Sequence, residues 1–144
     1  MKEQFSRTAQ LLGNENVEKL FDKHVIVFGV GGVGGYVVEA LARSGVGKIS
    51  IVDNDVVNES NINRQIIALH STVGMQKVEV LKNRILDINP ECQVFVYNQF
   101  FLPENSNDFD FSIYDYVVDA VDTVTAKLEI IKKSKESKVP VISS

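Results

Sequence analysis

Apolar and polar positions along this chain alternate between two periods. Val25–Phe28 is an unbroken apolar run, the pattern of a parallel strand buried on both faces. It breaks into glycines and then resumes with helical spacing. Val33, Val37, Leu41 and Ser44 recur every three or four residues, and Gly45 stands where a left-handed C-terminal cap belongs. The same alternation repeats downstream. Strands are expected at 25–29, 48–53, 93–98, 116–121 and 139–142, and helices at 33–44, 74–88 and 124–137. Within 74–88, Met75, Val78, Leu81, Ile85 and Ile88 are expected to face inward, with Asn89-Pro90 as the stop; within 124–137, Leu128 and Ile131 are. Ahead of the first strand the chain is polar up to Gln10 and then predicts a short helix, with Asn14 as N-cap and Val17, Leu20 and Phe21 on one face. Residues 99–113 read as a loop with a short amphipathic piece around Phe109 and Phe111. Five strands alternating with helices predict an α/β fold, a doubly wound, mostly parallel Rossmann-like sheet with helices on both faces. A helical segment over 1–24 precedes a Rossmann-like domain over 25–144.

Composition narrows the class. At 144 residues the chain reads as one domain with room for a core that needs neither disulfide nor metal. Its mean hydropathy of +0.01 is that of an ordinary globular protein, and no apolar run is long enough to span a bilayer. The N-terminus carries no apolar signal-peptide core, so a cytoplasmic protein without membrane partners is expected. The single cysteine, Cys92, excludes an internal disulfide framework and a cysteine-based zinc site. A net charge of −4 argues against the whole chain being a non-specific nucleic-acid binder, while leaving room for a local basic patch. Lys132, Lys133, Lys135 and Lys138 read as a solvated helix end whose cations complement the helix dipole. Neither His24 nor His70 has a partner at metal-ligand spacing.

The glycines carry the chemistry. Gly29, Gly31 and Gly34 satisfy the G-x-G-x-x-G spacing of dinucleotide-binding turns, and with Gly32 and Gly35 they put five glycines into seven residues. Such a turn lets backbone N–H groups approach a phosphate at a helix N-terminus. Asp53, at the end of the second strand and 24 residues after Gly29, suits a ribose. A nicotinamide-dependent oxidoreductase would need little more. Here Arg64 and Lys77 add cations suited to a triphosphate, and Asp122, just past the fourth strand, adds a carboxylate able to hold magnesium. The set suits ATP better than NAD.

Taken in order, Gly29-Val30-Gly31-Gly32-Val33-Gly34, Asp53-Asn54-Asp55, Ser60-Asn61-Ile62-Asn63-Arg64-Gln65, Val73-Gly74-Met75-Gln76-Lys77-Val78-Glu79 and Asp119-Ala120-Val121-Asp122 resemble the motifs of the ThiF/MoeB/HesA superfamily, ATP-dependent activating enzymes related to the ubiquitin-activating enzyme. Phe5 to Gly13, Asn63-Arg64-Gln65-Ile66 with Ala68-Leu69, and Ile88-Asn89-Pro90-Glu91-Cys92 are most similar to the tRNA threonylcarbamoyladenosine dehydratases within it.

The resemblance implies that a substrate carboxylate attacks the α-phosphate of ATP to give an acyl-adenylate and pyrophosphate, with tRNA as substrate and a cyclising dehydration to follow. Gly29, Gly31, Gly32 and Gly34 would cradle phosphate and Asp53 would hold the ribose. Arg64 and Lys77 would offset phosphate charge, Asp122 would position Mg2+, and Asn61 would line the phosphate site or cap its own loop. Arg7 matches an arginine that reaches into the partner subunit's site, which implies a homodimer. The superfamily domain continues past the last strand seen here, so this chain is expected to be the N-terminal part of a longer one. A sulfurtransferase or a ubiquitin-like sulfur carrier protein is the partner the superfamily also admits, with adenylation of the carrier's C-terminal glycine as the alternative activity.

Each assignment has a plainer rival. Lys77 could be a solvated surface lysine, although a helix start is a poor place for a cation. Asp53 could cap the following turn, and Arg64 could pair with Glu59 or Asp55. Asp119 reads as structural. Cys92 does too, having no adjacent base, so adenylation without thioester transfer is expected.

Overall fold

The computed structural model describes residues 2–144. At its centre β1 (His24–Phe28) pairs with β2 (Lys48–Val52) on one side and β4 (Tyr116–Asp119) on the other. Outside them lie β3 (Gln93–Tyr97) and β5 (Val141–Ser143), giving the order β3-β2-β1-β4-β5 with every pair parallel. This is the doubly wound α/β sheet the alternation predicts. β5 starts at Val141 rather than 139; Pro140, without an N–H, contributes only its carbonyl, which accepts from Val117.

Among the described residues five α-helices complete the fold: α1 (Ser6–Leu12), α2 (Asn14–Leu20), α3 (Gly34–Ser44), α4 (Lys77–Ile88) and α5 (Val124–Glu136). Successive side chains of a strand point to opposite faces, so β1 feeds two cores. Val25 and Val27 pack with Val38 and Ala42 of α3 and with Val78, Leu81 and Ile85 of α4. Ile26 and Phe28 pack on the other face with Ala126 and Ile130 of α5 and with Phe101, Phe109 and Phe111. The segment after β3 is therefore a core wall rather than a mere loop. It folds as two 3-10 turns, Pro103–Asp108 and Phe111–Ile113, and its three phenylalanine rings stand 4.7 to 5.7 Å from that of Phe28.

Where the structure departs from the periodic reading, it does so mostly in phase. The buried stripe of α3 is Gly34, Gly35, Val38 and Ala42, with Val33 exposed. Small residues on that stripe let the helix axis lie close on the sheet, so the larger Val37 and Leu41 flank the contact. In α5 the buried residues are Ala126, Ile130 and Ser134, whereas Leu128 and Ile131, expected inward, are exposed. Ala126 and Ile130 are the residues that meet the aromatic wall and β1, and they set the buried stripe. α4 begins at Lys77 rather than Gly74, because Gly74 takes a φ of +89° and Gln76 pairs with Val56 in an antiparallel bridge. Met75 is left 42% exposed as a result.

The N-terminal stretch is also more ordered than its polarity suggests. A 3-10 turn over Glu3–Phe5 runs into α1, and Phe5 and Ala9 are buried against Val17 and Phe21. α2 is capped by Gly13, at a φ of +87°, and not by Asn14. Among the described residues no helix is long and apolar enough to cross a membrane.

Candidate functional site

In a parallel sheet of this kind ligands bind beyond the carboxyl ends of the strands, where the strand order reverses. That point lies between β1 and β4, and a cleft of about 750 Å³ opens there. Its floor is the turn from β1 into α3. Gly29 leaves the strand with a φ of +85° and its N–H donates to Val52 O at 2.9 Å. The N–H groups of Gly31, Gly32 and Val33 find no acceptor among the described residues, and they lie where the α3 dipole is positive. Free N–H groups at a helix start are the chemistry that receives an anion.

Asp53 braces it. One carboxylate oxygen accepts from the Val30 N–H at 2.9 Å and the other from the Asp55 N–H at 2.8 Å, so the end of β2 is tied to the glycine turn. The chain then ties itself to α4, where the Lys77 N–H donates to Asp55 O and the Lys77 ammonium stands 3.7 Å from the Asp55 carboxylate. Lys77 is only 4% exposed although it opens a helix. A cation held inward at the positive end of a helix, against one exposed and distant carboxylate, is unfavourable unless more negative charge arrives.

Arg64 approaches the turn from the opposite side. It pairs with neither Glu59 nor Asp55; it donates to Ser60 O at 3.3 Å and Asn63 Oδ1 at 2.8 Å, and its stem lies across Gly32. Asn61 is buried, and its Oδ1 accepts from the Asn58 N–H at 2.9 Å, closing the loop that presents Arg64. Asp122 is exposed past β4 and makes no hydrogen bond or ion pair to the described residues. Asp119, the last residue of β4, is fully buried and bound to Lys127 at 3.2 Å and Ser143 at 2.6 Å, a structural anchor between β4 and β5.

Thus Gly29, Gly31, Gly32, Asp53, Asn61, Arg64, Lys77 and Asp122 line one cleft. Gly34 and Arg7 do not. Gly34 sits beneath the turn, where a Cβ would come within 1.7 Å of Gly29 O, so it serves helix-strand packing and leaves the lining to its neighbours. Arg7 is exposed on α1, and the 3-10 turn before α1 is tied to the end of α4 by Gln4 Nε2 donating to Ile88 O. Among the cleft residues that were given no ligand role from the sequence, two stand out. Asp55 and Gln65 stand inside the quoted motifs, but a polar loop without periodicity gives no sign of which side chains turn inward.

Cys92 lies before the amino end of β3, on the far side of the sheet from the cleft. Its Sγ donates to Val46 O at 3.4 Å, and burial pushes the thiol up to about 11. It is expected to resist a thiol reagent at pH 8 in the native protein and to react promptly in urea, as absorbance of the released thiolate would show.

The family model described as "ThiF family" matches residues 5–144. The chain is 48% identical to the tRNA threonylcarbamoyladenosine dehydratase of Bacillus subtilis over 145 residues, covering 100% of this chain and 57% of that one. The crystal structure of Escherichia coli tRNA N6-threonylcarbamoyladenosine dehydratase, TcdA, in complex with ATP superposes with a TM-score of 0.95 at 42% identity, covering 98% of this chain and 58% of that one. The AMP complex of the same protein gives a TM-score of 0.94. The chain therefore spans little more than half the length of these relatives.

Proposed function

The chain belongs to the ThiF family, and we propose that it performs ATP-dependent adenylation of a carboxylate, that of the threonylcarbamoyl group on a modified adenosine of tRNA, followed by cyclising dehydration. One observation carries the adenylation reading. Unpartnered N–H groups of the glycine turn, the inward Lys77 and the overlying Arg64 converge on a single cleft braced by Asp53. A triphosphate is the ligand that answers all of them, and relatives of this chain have been solved with ATP and with AMP. The dehydratase reading rests on the names of the similar proteins.

In the reaction a carboxylate oxygen bonds to the α-phosphorus, the bond from that phosphorus to the bridging oxygen breaks, and pyrophosphate leaves. An internal nucleophile of the carbamoyl group then attacks the acyl carbon and AMP leaves, so the nucleoside loses one water. The chain's contribution is positioning and charge neutralisation. N–H groups of Gly31 and Gly32 hold phosphate oxygens, Lys77 and Arg64 offset the charge that grows on pyrophosphate, and Asp53 accepts from a ribose hydroxyl with its remaining lone pairs. Among the described residues no three acidic, histidine or cysteine side chains gather into a cage, and Mg2+ would meet this chain through a single carboxylate at the cleft. Asp122 is the carboxylate offered for it. When bound, the ion neutralises phosphate charge. Arg7 does not line the cleft of its own chain; the family resemblance has it act from a second copy, which makes the working unit a homodimer and, with tRNA as substrate, a cytoplasmic one.

The test is to incubate the full-length protein with Mg2+, ATP and tRNA bearing threonylcarbamoyladenosine, then digest the tRNA and weigh its nucleosides. A nucleoside one water lighter, formed together with AMP, is the expected result. AMP formed only when a protein ending in Gly-Gly is supplied would overturn the tRNA reading in favour of a sulfur carrier.

A further inference from the structure

Phe100 and Phe101 follow β3 and take opposite environments. Phe101 is 4% exposed, with its ring 4.7 Å from that of Phe28, whereas Phe100 is 59% exposed and lines the cleft. The ring left in water is nevertheless firmly mounted. Asn105 grips the segment through both ends of its carboxamide, Nδ2 donating to Phe100 O at 2.7 Å and Oδ1 accepting from the Leu102 N–H at 2.8 Å. Phe101 anchors the same segment in the aromatic core. A bare aromatic face held in place at a ligand cleft suits a flat, apolar ring laid against it.

Its place along the cleft says which ring. The strands lie in the order β3-β2-β1, and the Asp53 N–H donates to Tyr97 O at 3.1 Å, tying the end of β2 to the end of β3. The glycine turn follows β1, Asp53 follows β2, and Phe100 stands three residues past the end of β3. From β1 to β3 is two strand spacings, about 10 Å, which is on the order of a nucleotide's reach from phosphate to base. We propose that Phe100 is the base platform of the site: with phosphate on the glycine turn and ribose on Asp53, the purine ring stacks on the Phe100 phenyl. The inference rests on the ATP reading above. Stacking here fixes the far end of the nucleotide while its phosphates react, and it asks nothing of the base beyond a π-face.

The experiment is calorimetric titration of ATP with Mg2+ into the full-length wild type, Phe100→Ala and Phe100→Trp, at a temperature where thermal melts show all three folded, with tripolyphosphate measured in competition. Phe100→Ala should weaken ATP about tenfold or more, the usual worth of a base stacked on an aromatic ring. Tripolyphosphate, which has no base, should bind wild type and Phe100→Ala alike. Phe100→Trp should keep ATP affinity, and the added indole emission should be quenched by ATP but not by tripolyphosphate. Wild-type ATP affinity in Phe100→Ala, equal losses for ATP and tripolyphosphate, or indole emission unmoved at saturating ATP would overturn the inference alone. A wild type that bound no ATP would overturn the adenylation reading and this inference with it.

Discussion

Replacing Lys77 with methionine is expected to lower ATP-dependent AMP formation by about a hundredfold or more, the usual cost of losing one preorganised charge at a reacting phosphate. The protein should stay folded. Methionine is unbranched and nearly as long as the lysine stem, so it fills the same space at the start of α4. Its Asp55 partner is exposed and 3.7 Å away, so little is lost when the pair goes. Removing a cation from the positive end of a helix should even raise Tm slightly. The measurement is pyrophosphate release by the full-length protein, paired with a thermal melt. Unchanged turnover would remove Lys77 from the site; a collapsed melt would mean that its burial is structural.

Gly34→Ala is expected to destabilise the protein by more than about 3 kcal/mol, the range of severe overpacking, and so to leave it largely unfolded. The added Cβ would stand 1.7 Å from Gly29 O and 2.8 Å from Gly29 C. Both atoms are backbone of the turn itself, which is pinned on one side by the Gly29 N–H to Val52 and on the other by Val30 to Asp53. Neither can give. Gly32→Ala makes the instructive contrast, because its Cβ would meet only the flexible Arg64 side chain at 3.8 Å or beyond. That variant should melt within about 1 kcal/mol of wild type, yet bind ATP more weakly because a methyl group occupies the approach to the phosphate. Urea unfolding of both variants, with ATP titration of the folded one, checks the pair. Equal stability of the two would refute the division of the glycines into one that packs and one that admits a ligand.

Much of this was legible in the chain. An unbroken apolar run followed by glycines and a helical period has few physical solutions, so the doubly wound parallel sheet, the glycine turn and the position of Asp53, Arg64, Lys77 and Asp122 near one sheet edge followed from pattern alone. Other features were not legible, for reasons that recur. Leu128 and Ile131 share a helical period with Ile130's stripe, and only the phenylalanines that pack on the far side of β1 decide which stripe is buried. Met75 lost its place in α4 to a bridge between Gln76 and Val56, two residues twenty apart in sequence.

The sequence by itself determined the alternation of strand and helix, the glycine turn and the charges near it, because period and local backbone chemistry act over a few neighbouring residues. Tertiary structure alone decided that Gly34 packs while Gly32 faces the cleft, that Lys77 turns inward, and that Gln65 Oε1 is buried without a partner. Burial, close approach and an unmet hydrogen bond are set by which distant segments the fold brings together, and no local pattern carries that information.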